Sequence, residues 1–304
     1  MLPGAIVLGI SLYLIYHFTP AMYPAGKWLH PVVSEGQRLV IAILLFFQFV
    51  KISPHDLKIS RWHWGALAIQ VSVFLLMAAL VRFGRMGSGA KMLSECLMLC
   101  FICPTASAAG VITDKLGGNL AGTVTYLVII NVAATFLIPL VIPVVNPSAD
   151  MGFWAYVGHI ALKVFPVLVL PGLLAWIIRY TTHGLQRRLM RWAGNSFYVW
   201  GVGLTFAMIL ATRALVLSGL GLIPVLGIVA VSLLACILQF AAGRAMGAKG
   251  TESITAGQTL GQKNTGFLIW LGYNYMTPVT SVAGGLYAIW QNLFNSWELA
   301  RKDS

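Results

Sequence analysis

A lysine stands inside one of the apolar stretches of this chain. The run Thr259-Leu260-Gly261-Gln262-Lys263-Asn264-Thr265-Gly266 is polar and glycine-punctuated, and hydrophobic segments flank it on both sides. Backbone groups left unpaired in hydrocarbon cost several kcal/mol each, so a break of this kind is stable only against protein or a watery cavity. An ionisable residue at such depth marks a functional site. The rest of the chain requires a membrane: 59% of its 304 residues are hydrophobic and 9% charged, against roughly 25% charged in ordinary soluble domains. About ten apolar stretches of near-spanning length, roughly 20 residues each, use most of the chain and leave loops too short for an extramembrane domain. These features predict an all-α polytopic membrane protein in one unit.

The net charge of +12 would point to nucleic acid in a soluble protein. Here most Lys and Arg fall in short loops, where they set orientation, so no nucleic-acid partner is expected. With ten spans starting at Leu2, one side carries Lys51, Lys58, Arg61, Lys115, Arg179, Arg187, Arg188, Arg191, Arg244, Lys249, Arg301 and Lys302. The other carries Lys27, Arg38, Arg82, Arg85, Lys91 and Arg213, while Lys163 and Lys263 fall within spans. This bias places both termini in the cytoplasm of a protein of the cell inner (plasma) membrane. Met1-Leu2-Pro3-Gly4 has neither a basic lead-in nor a small-residue cleavage site, so residues 2–17 read as a retained span. Cys96, Cys100 and Cys103 share one apolar helix and read as small packing residues rather than a metal or disulfide cluster.

The spacing predicts spans near 2–18 and 37–53, the second stopped by Pro54. A third follows the aromatic belt Arg61-Trp62-His63-Trp64 and runs to about 81. It carries Gln70, an amide suited to an interhelical hydrogen bond or to a ligand. The fourth, near 90–117, is broken by Cys103-Pro104-Thr105-Ala106-Ser107-Ala108-Ala109-Gly110. Asn119 opens the fifth, which ends at the turn Asn146-Pro147-Ser148. The sixth, 153–179, holds His159 and Lys163, whose ammonium either snorkels to an interface or faces a cavity; a basic linker with Arg187, Arg188 and Arg191 follows. The seventh and eighth occupy 193–212 and 222–243. The ninth, 250–273, carries the break at Lys263, and the tenth spans 279–298. Gly89-Ala90-Lys91 and Gly247-Ala248-Lys249 precede the two broken segments 158 residues apart. Matching breaks in two halves predict five-span repeats, 1–148 and 149–304, the second inverted relative to the first because five is odd. Paired interrupted helices of this kind point to a transporter site at the midplane.

Three groups of residues then resemble the bile acid:sodium symporter family over nearly the whole chain. Leu44 to Lys58, with its Ser53-Pro54-His55-Asp56 turn, is similar to that family's second helix and exit. Val111-Ile112-Thr113-Asp114-Lys115-Leu116-Gly117-Gly118-Asn119 is similar to its segment after the first break. Gln262 to Gly266, Pro278 and Trp290-Gln291-Asn292 resemble its ninth and tenth helices. The resemblance implies ten helices, a panel of spans 1, 2, 6 and 7, and a core of spans 3–5 and 8–10 in which spans 4 and 9 cross at their breaks. It also implies two sodium sites at that crossing and transport of an organic anion.

Carried over residue by residue, the family's ion-site glutamate falls on Thr259, the glutamine four residues later on Lys263, and the Ser-Asn pair of the first break on Ala109 and Gly110. Gln70 keeps the family's glutamine, and Thr123 keeps a hydroxyl of the fifth helix; Gln262 adjoins the site. The first sodium site has lost its side-chain oxygens. At the second, a sodium ion about 4 Å from an ammonium would be repelled by roughly 4 kcal/mol at an effective dielectric of 20. Lys263 either stays protonated as a built-in replacement for sodium, held by carbonyls, Gln70 and Thr259, or exchanges a proton in the cycle. The coupling ion is therefore a proton, sodium or neither. Lys163, Lys263 and the half-helix N-termini favour a carboxylate or sulfonate, with Thr105, Ser107, Asn119, Asn264 and Thr265 as polar contacts.

No cofactor or metal is expected, and no enzyme: His159 and Glu95 stand alone on different spans, and no Gly-x-Ser-x-Gly or His-Glu-x-x-His run occurs. The alternatives are a sodium-coupled symporter, a non-transporting sensor of the same fold, and a metalloid exporter using Cys103.

Overall fold

The computed structural model describes residues 2–303, and among them every regular element is helical. Fourteen α-helices follow in order: α1 Leu2–Phe18, α2 Tyr23–Val50, α3 Arg61–Phe83, α4 Ser88–Ile102, α5 Ala108–Lys115, α6 Leu120–Val145 and α7 Phe153–Leu168. Then come α8 Leu170–Thr181, α9 His183–Trp192, α10 Ser196–Ser218, α11 Leu222–Met246, α12 Thr251–Gly261, α13 Thr265–Tyr275 and α14 Ser281–Asp303. Residues 1 and 304, the outermost of the two expected repeats, lie outside the described residues.

Five helical stretches are long and apolar enough to cross a membrane: Pro20–Val50, Arg61–Phe83, Leu120–Val145, Tyr198–Ser218 and Leu222–Met246. The pair α7 and α8 makes a sixth if its two halves form one span. The chain is thus a multi-pass membrane protein. The ten segments expected from the sequence would require α1, the broken pairs α4/α5 and α12/α13, and α14 as well.

Both expected breaks occur. The helix of α4 stops at Ile102, before Pro104, and resumes at Ala108; that of α12 stops at Gly261 and resumes at Thr265. Proline supplies no amide hydrogen and its ring disfavours helix before it, which accounts for the first stop. Asn264 caps the second restart, its Oδ1 accepting from the Phe267 amide at 3.2 Å, as Asn119 caps α6 by accepting from Gly122 at 3.1 Å. At the end of α2, Ser53 and Asp56 close a capping box around Pro54.

Four expectations need correction. The hydropathy spacing predicts the second span at 37–53, yet α2 begins at Tyr23. Its polar residues do not end the helix because they find partners: His30 meets the Tyr273 hydroxyl at 2.9 Å and Ser34 donates to Asn274 at 3.4 Å. The single sixth span is bent by 42° at Val169, between Pro166 and Pro171. The basic linker is a ten-residue amphipathic helix, α9, with none of its residues buried. The aromatic belt before the third span belongs to α3 itself, where Trp62 and His63 are buried. His63 accepts from the Ser60 amide at 2.7 Å, and its other ring nitrogen meets the Gly122 carbonyl oxygen at 2.9 Å.

Helix contacts fall into two groups. Helices α1, α2, α7, α8 and α10 neighbour one another, and α3 to α6 pack with α11 to α14. The two groups meet through α6 with α7, through α2 with α13, and through α10 with α13 and α14. Small residues allow a close approach between α11 and α12, where a Cβ on Gly243 would run into the Ala256 carbonyl oxygen.

Candidate functional site at the crossing of the two breaks

The two interrupted segments meet. Thr105 and Lys263 form an isolated antiparallel bridge, in which the Ala106 amide donates to the Gln262 carbonyl at 3.0 Å and the Asn264 amide to that of Pro104 at 2.8 Å. The Thr105 hydroxyl donates to the Thr259 carbonyl at 2.8 Å, and the Cys103 thiol lies 3.1 Å from the Asn264 carbonyl oxygen. Each break thus satisfies the backbone groups of the other, which is what permits two non-helical stretches at membrane depth. From α14, Gln291 clamps both sides of the Lys263 peptide, accepting from its amide at 2.8 Å and donating to its carbonyl at 3.3 Å.

Lys263 is 1% exposed, and its Nζ has no hydrogen-bond partner among the described residues. It does not reach Gln70 or Thr259, where the sequence led us to expect it. The titratable groups around it are the thiols of Cys103, Cys100 and Cys236. The physical reason lies with the expected partners, which are already committed. Gln70 donates to the Phe101 and Cys103 carbonyls and accepts from the Tyr126 hydroxyl at 2.5 Å. Thr259 donates to Thr123 at 3.0 Å, and Thr123 in turn reaches Thr113 at 3.2 Å. Where the related family implies a carboxylate and two polar neighbours, three buried hydroxyls are linked in a chain. Ala109 and Gly110 add no side-chain oxygen beside it. All four cysteines are free and buried, and no cluster of three metal-ligating side chains occurs among the described residues.

The proposed substrate contacts separate into two sets. Ser107, Asn264 and Thr265 line a small cavity of about 60 Å³ between the two helix groups, together with Lys263, Gln37 and Gln291. Ser107 also lines a neighbouring cavity of about 480 Å³ with Gln262, Lys51, Lys115, Asn292 and Asn295. Thr105 is fully buried and used by Thr259. Asn119 caps a helix, with its amide on Thr255 at 2.7 Å. Lys163 is half-buried on α7 and is not among the residues lining either cavity.

Sequence reasoning missed Tyr126, Tyr287, Gln239, Cys236 and the Glu298 network. Tyr287 donates to the Gly261 carbonyl at 2.8 Å, and Gln239 donates to Tyr287 at 3.1 Å. Glu298 pairs with Arg244 and accepts from Gln258, whose Oε1 accepts from Gln262 at the break. Buried amides and a buried acid on apolar helices were the available signals, but only the fold says which face they occupy.

Two interrupted helices that interlock at their breaks around a buried lysine, inside a polytopic helical bundle, are the arrangement of a membrane transporter. The chain matches the model of the SBF-like CPA transporter family over residues 5–284, and it belongs to that family. This agrees with the resemblance to the bile acid:sodium symporters. No curated protein matches the chain.

Proposed function

We propose that this chain is a secondary transporter of an organic anion, a carboxylate or sulfonate, working by alternating access without sodium. The architecture we propose for it is ten membrane segments in two inverted five-segment repeats, lying in the inner membrane with both termini in the cytoplasm. The observation that carries the reading is Lys263, an amine built into the interlocked breaks with no counter-charge beside it among the described residues. Sodium asks for several oxygen ligands, and the side-chain oxygens near Thr259 are spent on one another. An ammonium buried without a partner is costly, and an anion entering the cavity lined by Lys51, Lys115 and Ser107, next to the small one that Lys263 lines, would offset that cost. The interface between the two helix groups, where those cavities lie, is the surface along which one group would move against the other.

The test is flux of an anion such as taurocholate into proteoliposomes with sodium or with potassium outside. Equal flux in the two salts is expected. A strict sodium requirement would sink the reading and favour a conventional symporter, while binding without flux would favour a sensor. Replacing Lys263 by Gln and Thr259 by Glu together should move the protein toward sodium dependence.

A further inference from the structure

On the other side of the first break, at the N-terminal end of α4, lies a cavity of about 620 Å³. Glu95, Lys91, Arg213, Tyr273, Thr277 and Asn146 line it. Glu95 is 3% exposed, and its Oε2 has no hydrogen-bond partner among the described residues. Thr277 lies against the other part of the carboxyl group. The charged and titratable groups that line the cavity with Glu95 come from several elements: Lys91 from its own helix, Arg213 from α10, and Tyr273 from α13, which His30 of α2 touches in turn; the Cys96 thiol neighbours Glu95 on α4. Arg213 is engaged by the Tyr273 hydroxyl, and the Asn146 side-chain amide donates to the Tyr275 carbonyl at 2.9 Å. The chain has eight Asp and Glu residues. Among the described residues Glu95 and Glu298 are the two that are buried, and Glu298 is paired with Arg244 and Gln258 whereas one buried oxygen of Glu95 has no partner.

We propose that this vestibule binds an organic anion together with a proton, the proton on Glu95 Oε2 and the anion between Lys91 and Arg213. The inference rests on the anion-transporter reading and supplies its coupling ion. An ionised Glu95 would repel an arriving anion. The neutral acid instead donates a hydrogen bond to one of its oxygens, while Lys91 and Arg213 attract its charge. The step forms one O–H bond on Glu95 and breaks one in a hydronium ion, which leaves as water; no bond of the anion changes. On the proposed topology the vestibule opens to the outer face, so proton and anion enter from the same side.

Infrared difference spectroscopy of the purified full chain in lipid nanodiscs, titrated over pH, reads the carbonyl stretch of a protonated carboxylic acid. In the wild type a band that titrates is expected, retained in Glu298→Gln and lost in Glu95→Gln. Lys91 is exposed, so Lys91→Gln should fold; removing that cation should raise the midpoint by roughly half a pH unit. Taurocholate, as the anion probe, should also raise it, by about one unit for each tenfold preference for the protonated form. A band that survives Glu95→Gln, or a midpoint that neither Lys91→Gln nor taurocholate moves, overturns the proposal. Should Glu95→Gln fail to assemble, the Lys91→Gln shift decides. Sodium-stimulated flux would remove the lysine-for-sodium reading and leave this titration as it is, so the two failures are distinguishable.

Discussion

Replacing Lys263 by methionine separates its effect on the fold from its role in transport. An apolar side chain of similar length removes a buried charge that has no partner, so thermal unfolding of Lys263→Met should shift upward, by on the order of 1–4 kcal/mol, while anion flux falls. A fall in stability would mean that the ammonium has a partner in the resting protein. At Tyr126 the expectation runs the other way. Its hydroxyl holds Gln70 against the carbonyls that end α4, and Tyr126→Phe leaves a buried amide oxygen unpaired, costing about 1–3 kcal/mol in the same measurement. Lys263 itself was legible in the sequence because a charge inside an apolar stretch needs a reason. Its direction was not legible. A lysine stem reaches several ångströms from its Cα, and which groups it meets depends on whether Gln70 and Thr259 are already satisfied by others.

The breaks in α4/α5 and α12/α13 could be read from Pro104 and from the glycine-punctuated polar run, since both act locally on the backbone. The start of α2, the bend between α7 and α8 and the helical state of α9 could not. The polar residues of α2 are paid for by partners on α13, more than two hundred residues away in sequence. The helix α9 holds its exposed apolar and basic residues on separate faces, a period that a charge count alone does not reveal. Between α11 and α12 the approach depends on glycine. Gly243→Ala is expected to lower stability by about 1–3 kcal/mol, read as a drop in the unfolding temperature, because its Cβ would meet a carbonyl oxygen that belongs to the neighbouring backbone. Gly184→Ala in α9, where a Cβ meets nothing within 4 Å, should be neutral or slightly stabilising.

For the whole molecule, the distribution of Lys and Arg predicts which loops face the cytoplasm. The native cysteines are buried, so a single introduced cysteine reports its own position. In intact cells a membrane-impermeant maleimide should label Arg85→Cys, and should label Arg187→Cys only after permeabilisation; the reverse pattern would invert the topology and move the Glu95 vestibule to the inner face. The apolar stretches, the two breaks and the buried lysine were determined by the sequence, because hydropathy and backbone chemistry act over a few residues at a time. The pairing of Thr105 with Lys263, the hydroxyl chain from Thr259 to Thr113, the thiols around the lysine and the unpartnered oxygen of Glu95 were decided by the tertiary structure. Each of these joins residues from separate helices, and no local property of the chain says which of them will face one another once the helices pack.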